Sequence, residues 1–134
     1  MNQDEKLLHG LKQAVIDNLE NEQFGVEHLS RIAGVSRSHL HRKLKKLKGQ
    51  SISQFIREVR LAEALKLLYK DIATTSEIAY RVGFSSPSYF HKCFLDYYGY
   101  PPSEAKQIFY NKQNAKSNTD VEPFKGEKCA DWTG

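Results

Sequence analysis

The sequence has few of the features that mark secreted or membrane-bound proteins. Its 134 residues include only two cysteines, Cys93 and Cys129, which form no CxxC pair, so a disulfide framework is not expected. No apolar run approaches the roughly 18 residues of a membrane span. The N-terminal segment MNQDEKLLHG lacks the basic start and apolar core of a signal peptide. These absences favour a cytoplasmic protein with no membrane partner.

The sequence also lacks signatures of catalysis and of cofactor binding. It has no Gly-rich phosphate loop, no GxSxG element and no paired-carboxylate arrangement. His28, His39 and His41 are close in sequence, but they do not share a helical face and no cysteine joins them, so we expect no zinc site. We therefore expect neither an enzyme nor a bound cofactor.

Positive charge is concentrated in one part of the chain. Residues 28–60 hold nine basic residues against the single acid Glu58, a net charge of +8, whereas residues 1–27 carry −4. Such clustering is typical of a protein that binds a polyanion. A basic run by itself is more often a solvated helix face, so the argument depends on where the run lies.

Two stretches of the chain are copies of one pattern. They are LSRIAGVSRSHLHRKLKKLKG, residues 29–49, and IAYRVGFSSPSYFHKCFLDYYG, residues 78–99. Equivalent residues are 49 apart before the central turn and 50 apart after it, so one residue is inserted in the turn. Each copy indicates a helix, a glycine turn at Gly34 or Gly83, and a second helix. This order is typical of a helix-turn-helix unit, and the first copy coincides with the basic cluster.

Apolar spacing and capping residues predict helices along most of the chain. The predicted helices cover about residues 4–20, 26–33, 36–48, 51–69, 76–82, 86–98 and 103–109, with Ser36 and Ser103 as N-caps. Since no segment alternates as a strand, the predicted fold class is all-α.

The same pattern divides the chain into four parts. Residues 4–50 hold the N-terminal helix and the first helix-turn-helix subdomain, and residues 51–70 form a long linker helix. Residues 71–110 hold the second subdomain and the final helix. Residues 111–134 are rich in polar side chains and are expected to be disordered, although Phe124 and Trp132 break that composition.

The second helix of each copy has one face that points away from the core. Leu40, Leu44 and Leu47 define the buried stripe of the first, so at about 100° per residue the opposite face points outward. The outward residues are Ser38, His41, Arg42 and Lys45 in the first copy, and Ser88, His91, Lys92 and Leu95 in the second. A helix that enters the DNA major groove needs polar groups that reach base edges and basic groups that meet phosphates.

These motifs resemble the DNA-binding domain of AraC/XylS-type transcriptional regulators over roughly residues 7–110. The segment EIAYRVGFSSPSYFHKCFLDYYGYPPSEAK, residues 77–106, is similar to the family signature, and SISQFIREVRLAEALKLL, residues 51–68, is similar to its linker helix. The resemblance implies seven helices, with two helix-turn-helix subdomains on a rigid connecting helix. It also implies that the second helix of each unit is a recognition helix, and that the two enter successive major grooves.

Twelve residues are candidates for contacts with DNA. The candidates for base contacts are Ser38, His41, Arg42, Ser88, His91 and Lys92. The candidates for phosphate contacts are Ser36, Arg37, Lys45, Lys46, Arg57 and Ser86. Arg42 can donate two hydrogen bonds to a guanine, with a phosphate contact or an intramolecular ion pair as alternatives. Arg60 is either a further phosphate contact or part of a structural pair beside the linker helix.

The expected function is sequence-specific binding of double-stranded promoter or operator DNA by a bacterial regulator. Because such domains are commonly joined to a sensor or receiver domain, the chain is either the C-terminal effector of a larger regulator or a compact regulator without a sensor. RNA polymerase and a sensor or receiver domain outside this chain are further candidate partners. Two alternatives stay open: a protein-interaction module, and an architectural DNA binder without sequence preference.

Overall fold

The computed structural model describes residues 2–114, which form seven α-helices and one 3-10 turn, with no strand. The helices are α1 (Gln3–Asp17), α2 (Val26–Ala33), α3 (Arg37–Lys48), α4 (Ile52–Lys70), α5 (Thr75–Arg81), α6 (Pro87–Tyr98) and α7 (Ala105–Asn114). The 3-10 turn, Pro102–Glu104, precedes α7. None of the described helices is long and apolar enough to cross a membrane. The predicted all-α fold is confirmed.

The first predicted helix is shorter than expected. It ends at Asp17 instead of about residue 20. The side-chain amide of Asn18 donates to the carbonyl oxygen of Ala14 at 2.9 Å, and its backbone N–H donates to Val15 at 3.1 Å. These bonds replace the next turn of helix, so the chain leaves the helical path at Asn18.

The last helix differs most from the prediction. Ser103, predicted as its N-cap, lies inside the 3-10 turn, and α7 begins at Ala105 and continues five residues beyond Phe109. The ring of Phe109 stacks on Tyr69 of α4, with 4.0 Å between centroids, which holds α7 against α4. Residues 111–114, predicted to belong to the disordered tail, are therefore helical. Residues 115–134, with Phe124 and Trp132, lie outside the described residues.

The two copies of the repeat fold with the same turn. Two backbone hydrogen bonds of 3.0–3.2 Å close each turn, from Gly34 to Arg31 and Val35 to Ser30, and from Gly83 to Tyr80 and Phe84 to Ala79. Gly34 has φ 75° and Gly83 has φ 90°, the left-handed region that favours glycine. Ser36 and Ser86 then accept from the third backbone N–H of the next helix at 3.1 and 3.2 Å. The inserted residue is therefore Ser85, just before the second cap.

Each unit has its own buried apolar cluster, and α4 contributes to both. The first cluster includes Leu11, Val15, Phe24, Leu29, Leu40 and Leu44, with Ile52, Phe55, Ile56 and Val59 of α4. The second includes Ile78, Val82, Phe84, Phe90 and Phe94, with Leu61, Ala64 and Leu68 of α4. The helix passes from one cluster to the other between Val59 and Leu61. These clusters support the proposed division into two subdomains joined by a linker helix.

Arg60 lies at this crossing point and is only 4% exposed. Its guanidinium donates to the carbonyl oxygens of Leu19 (2.6 Å), Asn21 (3.0 Å), Phe24 (3.3 Å) and Val82 (2.6 Å). The first three belong to the connection between α1 and α2, and the fourth lies at the end of α5. Carbonyls at helix ends and in turns need partners when they are buried, and burial lowers the pKa of Arg60. Arg60 is therefore structural, and its role as a phosphate contact is excluded.

The hydrogen bonds of Arg60 to both units form a junction, here called the Arg60 junction. It predicts unequal effects of alanine at the two turn glycines. A Cβ at Gly83 would collide with the Arg60 guanidinium and lie 2.5 Å from the carbonyl oxygen of Leu19, whereas a Cβ at Gly34 meets nothing within 4 Å. Gly34→Ala should lower the free energy of unfolding by about 1 to 2 kcal/mol, the strain of a left-handed alanine. Gly83→Ala should lower it by at least about 3 kcal/mol, because overpacking adds to the same strain. Urea unfolding of both variants measures the difference, and equal losses would contradict the junction.

Candidate nucleic-acid interface

The helix α3 is oriented by its buried leucines. Leu40 and Leu44 are at most 1% exposed, so the other side of the helix faces solvent. The exposed residues on that side include Ser38, His41, Arg42 and Lys45. Ser36 caps the start of α3, and Gly49, with φ 67°, ends it. A short, firmly bounded helix thus presents the four residues that the sequence predicts to point outward.

An open groove of about 590 Å³ lies along the start of α3. Its lining residues are Val26, Arg37, Ser38, His41, Arg42, Ser51, Ile52 and Ser53. The first turn of α4 therefore forms one wall, beside the outward residues of α3. Backbone N–H groups at a helix N-terminus favour an anion. Ser51 and Ser53 were not predicted to lie at this face, although a helix-capping serine two residues after Gly49 is a sequence signal for the start of α4 beside the end of α3.

Five of the basic residues of α3 divide into two sets. Lys43 lies 3.3 Å from Asp4 of α1, and Lys48 lies 3.8 Å from Glu58 of α4, so both are directed toward the rest of the protein. Within residues 2–114, Arg42, Lys45 and Lys46 form no ion pair with a carboxylate. These three cations are exposed and available to an external anion. The intramolecular ion pair considered for Arg42 is absent from the described residues.

Arg37, a candidate for a phosphate contact, has an internal neighbour. Its guanidinium lies 3.7 Å from the carboxylate of Glu27, and both side chains are about two-thirds exposed, at 65% and 69%. Exposed ion pairs of this kind contribute little to stability. Arg37 therefore remains able to exchange Glu27 for an external anion.

The helix α6 presents a less basic face than α3. Its buried side consists of Phe90, Cys93, Phe94 and Tyr98, and burial raises the pKa of the Cys93 thiol. The exposed residues include Ser88, His91, Lys92 and Leu95, as predicted. Lys92 is the one lysine or arginine in α6, and Leu95 stands at the position that Lys45 has in α3. Ser86 caps the helix, and Pro87 occupies its first turn.

Polar side chains of α4 connect the two units beneath these faces. Nη1 of Arg57 donates to the hydroxyl of Tyr89 on α6 at 3.0 Å. Glu58 accepts from the hydroxyl of Tyr97 at 2.9 Å and from Nε2 of Gln50 at 3.0 Å. The one acid of the basic segment thus lies inside a network between both units. Arg57 is half-buried, and its contact with a phosphate stays a prediction.

The histidines of the first unit have separate environments. Nδ1 of His28 accepts from the backbone N–H of Gly25 at 3.3 Å, which caps α2, and its ring stacks on Phe24. His41 lies on the outward face of α3. Within the described residues, no group of three or more His, Cys, Asp or Glu side chains could hold a metal ion.

Comparisons with known proteins agree with this architecture. The family model described as a helix-turn-helix domain matches residues 29–108. The multiple antibiotic resistance protein MarA of Escherichia coli K12 is 32% identical over 101 residues, which are 75% of this chain and 79% of that protein. Histidine kinase P4 of Formosa agariphila is 43% identical over 101 residues, 75% of this chain but 7% of that protein. The chain therefore spans most of some curated relatives and a small part of others.

Two solved structures are similar over most of the chain. The DNA-binding domain of AdpA, crystallised with a target DNA, has a TM-score of 0.68 and 26% identity, covering 80% of this chain and 96% of that one. A Chromobacterium violaceum regulator described as containing an AraC-type DNA-binding domain has a TM-score of 0.70 and 26% identity. That match covers 77% of this chain and 91% of the other.

Alanine at the two capping serines should destabilise the protein, whereas alanine at the two exposed serines should not. Ser36→Ala and Ser86→Ala each remove a cap, so each should lower the free energy of unfolding by about 1 kcal/mol. Ser38 and Ser88, two residues later, are exposed, and their alanine variants should stay within about 0.5 kcal/mol of the parent. Denaturant unfolding of the four variants checks this, and a large loss for Ser38→Ala would show that its outward orientation is wrong.

Proposed function

The chain belongs to the AraC-type family of helix-turn-helix transcriptional regulators, and we propose that α3 and α6 enter successive major grooves of one DNA duplex. Domains of this family bind double-stranded DNA, and the AdpA domain that resembles this chain was crystallised with its target. One observation carries the proposal. The two copies of the repeat present equivalent polar helix faces, and a single helix joins them.

The length of α4 supports two adjacent reading positions. Its 19 residues span about 28 Å at the usual rise of about 1.5 Å per residue. Equivalent points of the major groove repeat about every 34 Å along one side of the duplex. Two units mounted at either end of such a helix can therefore reach neighbouring turns of the groove.

In the first unit, we assign base contacts to Ser38, His41 and Arg42. The guanidinium of Arg42 can donate two parallel hydrogen bonds to a guanine, the commonest specific contact in the major groove. The flanking residues Ser36, Arg37, Lys45 and Lys46 are assigned to phosphates, which hold the helix in register without reading sequence. The exposed state of Arg42, Lys45 and Lys46 supports these roles.

In the second unit, Ser88 and His91 are assigned to bases, and Lys92 reaches either a base edge or a phosphate. Since α6 carries Leu95 in place of a lysine, we propose that the first unit supplies most of the direct readout. The second unit then depends more on phosphates, through Ser86 and the exposed backbone N–H groups at the start of α6. Arg57 is assigned to a phosphate as well, with its Nη1 held by Tyr89.

The regulatory partners are also proposals. The match to a histidine kinase covers only 7% of that protein. The name of that relative therefore describes a much longer protein and does not assign kinase activity to this chain. We propose that this chain binds DNA without catalysing a reaction, and that a sensor or receiver domain and RNA polymerase are its protein partners. Its place of action is the bacterial cytoplasm, where promoter DNA lies.

Removing Arg42 should alter sequence preference. Arg42→Ala should weaken binding to the preferred duplex by about tenfold to a hundredfold, the effect of losing a bidentate base contact, and should relax selection at one base pair. Lys46→Ala is the matched control, because it removes the same charge from the same helix and should weaken all sequences alike. Competition binding against single-base variants of the site measures both. An unchanged preference in Arg42→Ala would remove Arg42 from the base contacts.

Removing Lys92 should weaken binding without changing preference. If Lys92 neutralises a phosphate, Lys92→Ala should make the log–log dependence of affinity on salt shallower by about 0.9. The order of preference among duplexes should stay the same. A sharp loss of discrimination at particular base pairs would instead assign Lys92 to a base.

Selection from a random duplex library at moderate salt tests the function as a whole. We expect two short sequence blocks about one helical turn apart. Binding that weakens with salt but enriches no motif would indicate an architectural DNA binder. Absence of any DNA binding would favour a protein-interaction module and refute the proposal.

A further inference from the structure

Two adjacent residues of α4 hold opposite ends of α6. Arg57 donates to the hydroxyl of Tyr89 at 3.0 Å, and Glu58 accepts from the hydroxyl of Tyr97 at 2.9 Å. Tyr89 lies in the first turn of α6 and Tyr97 in its last turn. They are eight positions apart along the helix, which is about 12 Å. A helix attached at two points this far apart cannot pivot as it could about one attachment.

The same network reaches the first unit. Nζ of Lys48, the last residue of α3, lies 3.8 Å from Oε1 of Glu58, and Nε2 of Gln50 donates to Oε2 at 3.0 Å. The carboxylate of Glu58 therefore contacts the end of α3 and the end of α6 together. Its side chain is 25% exposed, so water competes only partly with these contacts. One carboxylate on α4 therefore contacts both α3 and α6, the two proposed recognition helices.

The two copies of the repeat differ at the positions that make these contacts. By the 50-residue offset, Tyr89 matches His39, and Tyr97 matches Leu47. The hydroxyls that hold α6 have no equivalent in the first copy. The two tyrosine hydroxyls that bond to α4 therefore lie in the second unit. That unit is the less basic one and has fewer contacts with DNA in the proposed function.

We propose that Tyr89 and Tyr97 are positioning residues that set which spacing between two DNA sequence blocks the protein accepts. This inference rests on the proposed function, in which each recognition helix reads one block. Adding one base pair between the blocks rotates the second by about 34° around the duplex and moves it by about 3.4 Å. The protein can follow that change only if α6 turns relative to α3. Both tyrosine hydroxyls oppose the turn because their bonds to Arg57 and Glu58 would break.

The direct test uses the double variant Tyr89→Phe, Tyr97→Phe. It removes two oxygen atoms and leaves both rings in place. The matched control is Tyr80→Phe, Tyr110→Phe, because those rings are 54% and 62% exposed and lie outside the network. The dissociation constant is measured for duplexes that carry the two selected blocks at the preferred spacing, and at spacings one base pair shorter and longer. Thermal unfolding of each variant checks that it is folded.

The parent protein should prefer one spacing by at least about tenfold over its neighbours, the scale of one charge-assisted hydrogen bond. In the double variant this ratio should fall to about threefold or less, while any change in the Arg57 contact with phosphate alters the affinity at all three spacings alike. A merely structural role would lower thermal stability and affinity together and leave the ratio intact. That outcome, or an equal fall of the ratio in the control variant, would overturn the proposal.

A second pair of variants tests the carboxylate without touching α6. Glu58→Gln keeps an acceptor for Tyr97 and should retain most of the spacing ratio, whereas Glu58→Met removes it and should lose the ratio. Equal behaviour of the two would overturn the role of this contact. A parent protein that selects no second block would refute the proposed two-block reading along with the inference, whereas one that reads both blocks equally well at all three spacings would refute the inference alone. A parent with a sharp preference that the double variant Tyr89→Phe, Tyr97→Phe retains would refute only the positioning role.

Discussion

The rest of the structure depends on the hydrogen bonds that the guanidinium of Arg60 donates. It is buried where α4 leaves the first apolar cluster for the second, and it binds carbonyl oxygens from both units. A buried cation is stable only when hydrogen bonds replace its lost water, so the connection before α2 and the end of α5 must both remain in place. Gly83 is constrained by the same requirement, because a Cβ there would occupy the space of the guanidinium. Two short helical units thereby become one body.

Duplication accounts for the shared plan, and divergence gives each unit a different task. The turns, the serine caps and the terminal glycines are equivalent in both copies. The first copy keeps its cations outward on α3. The second exchanges two positions for tyrosines that hold α4, and it presents Leu95 where the first presents Lys45. The proposed division of labour follows, with sequence reading concentrated in the first unit and a fixed position supplied by the second.

Local signals in the sequence were enough for most of the fold. The bounds of α2, the serine cap of α3 and the outward faces follow from spacing and capping, because each depends on residues within one or two turns. The family resemblance is confirmed by the comparisons. The Arg60 junction and the hydrogen bond between Glu58 and Tyr97 could not be predicted, since their partners are 22 to 41 residues away. The prediction of the length of α7 failed for the same reason, because the helix is held by the stacking of Phe109 on a ring from α4. The base and phosphate contacts stay predictions.

The central claim is that the spacing between the recognition helices exists before DNA binds. It is tested most directly by the distance distribution between spin labels attached at Ile32→Cys and Arg81→Cys, with both native cysteines replaced by serine. Both sites are exposed, lie at equivalent positions of α2 and α5 near the turns that lead into α3 and α6, and carry no assigned contact with DNA. A single narrow distribution, unchanged when the selected duplex is added, is the predicted result. A broad distribution in the free protein that narrows only on DNA would contradict the claim, because the duplex would then impose the spacing.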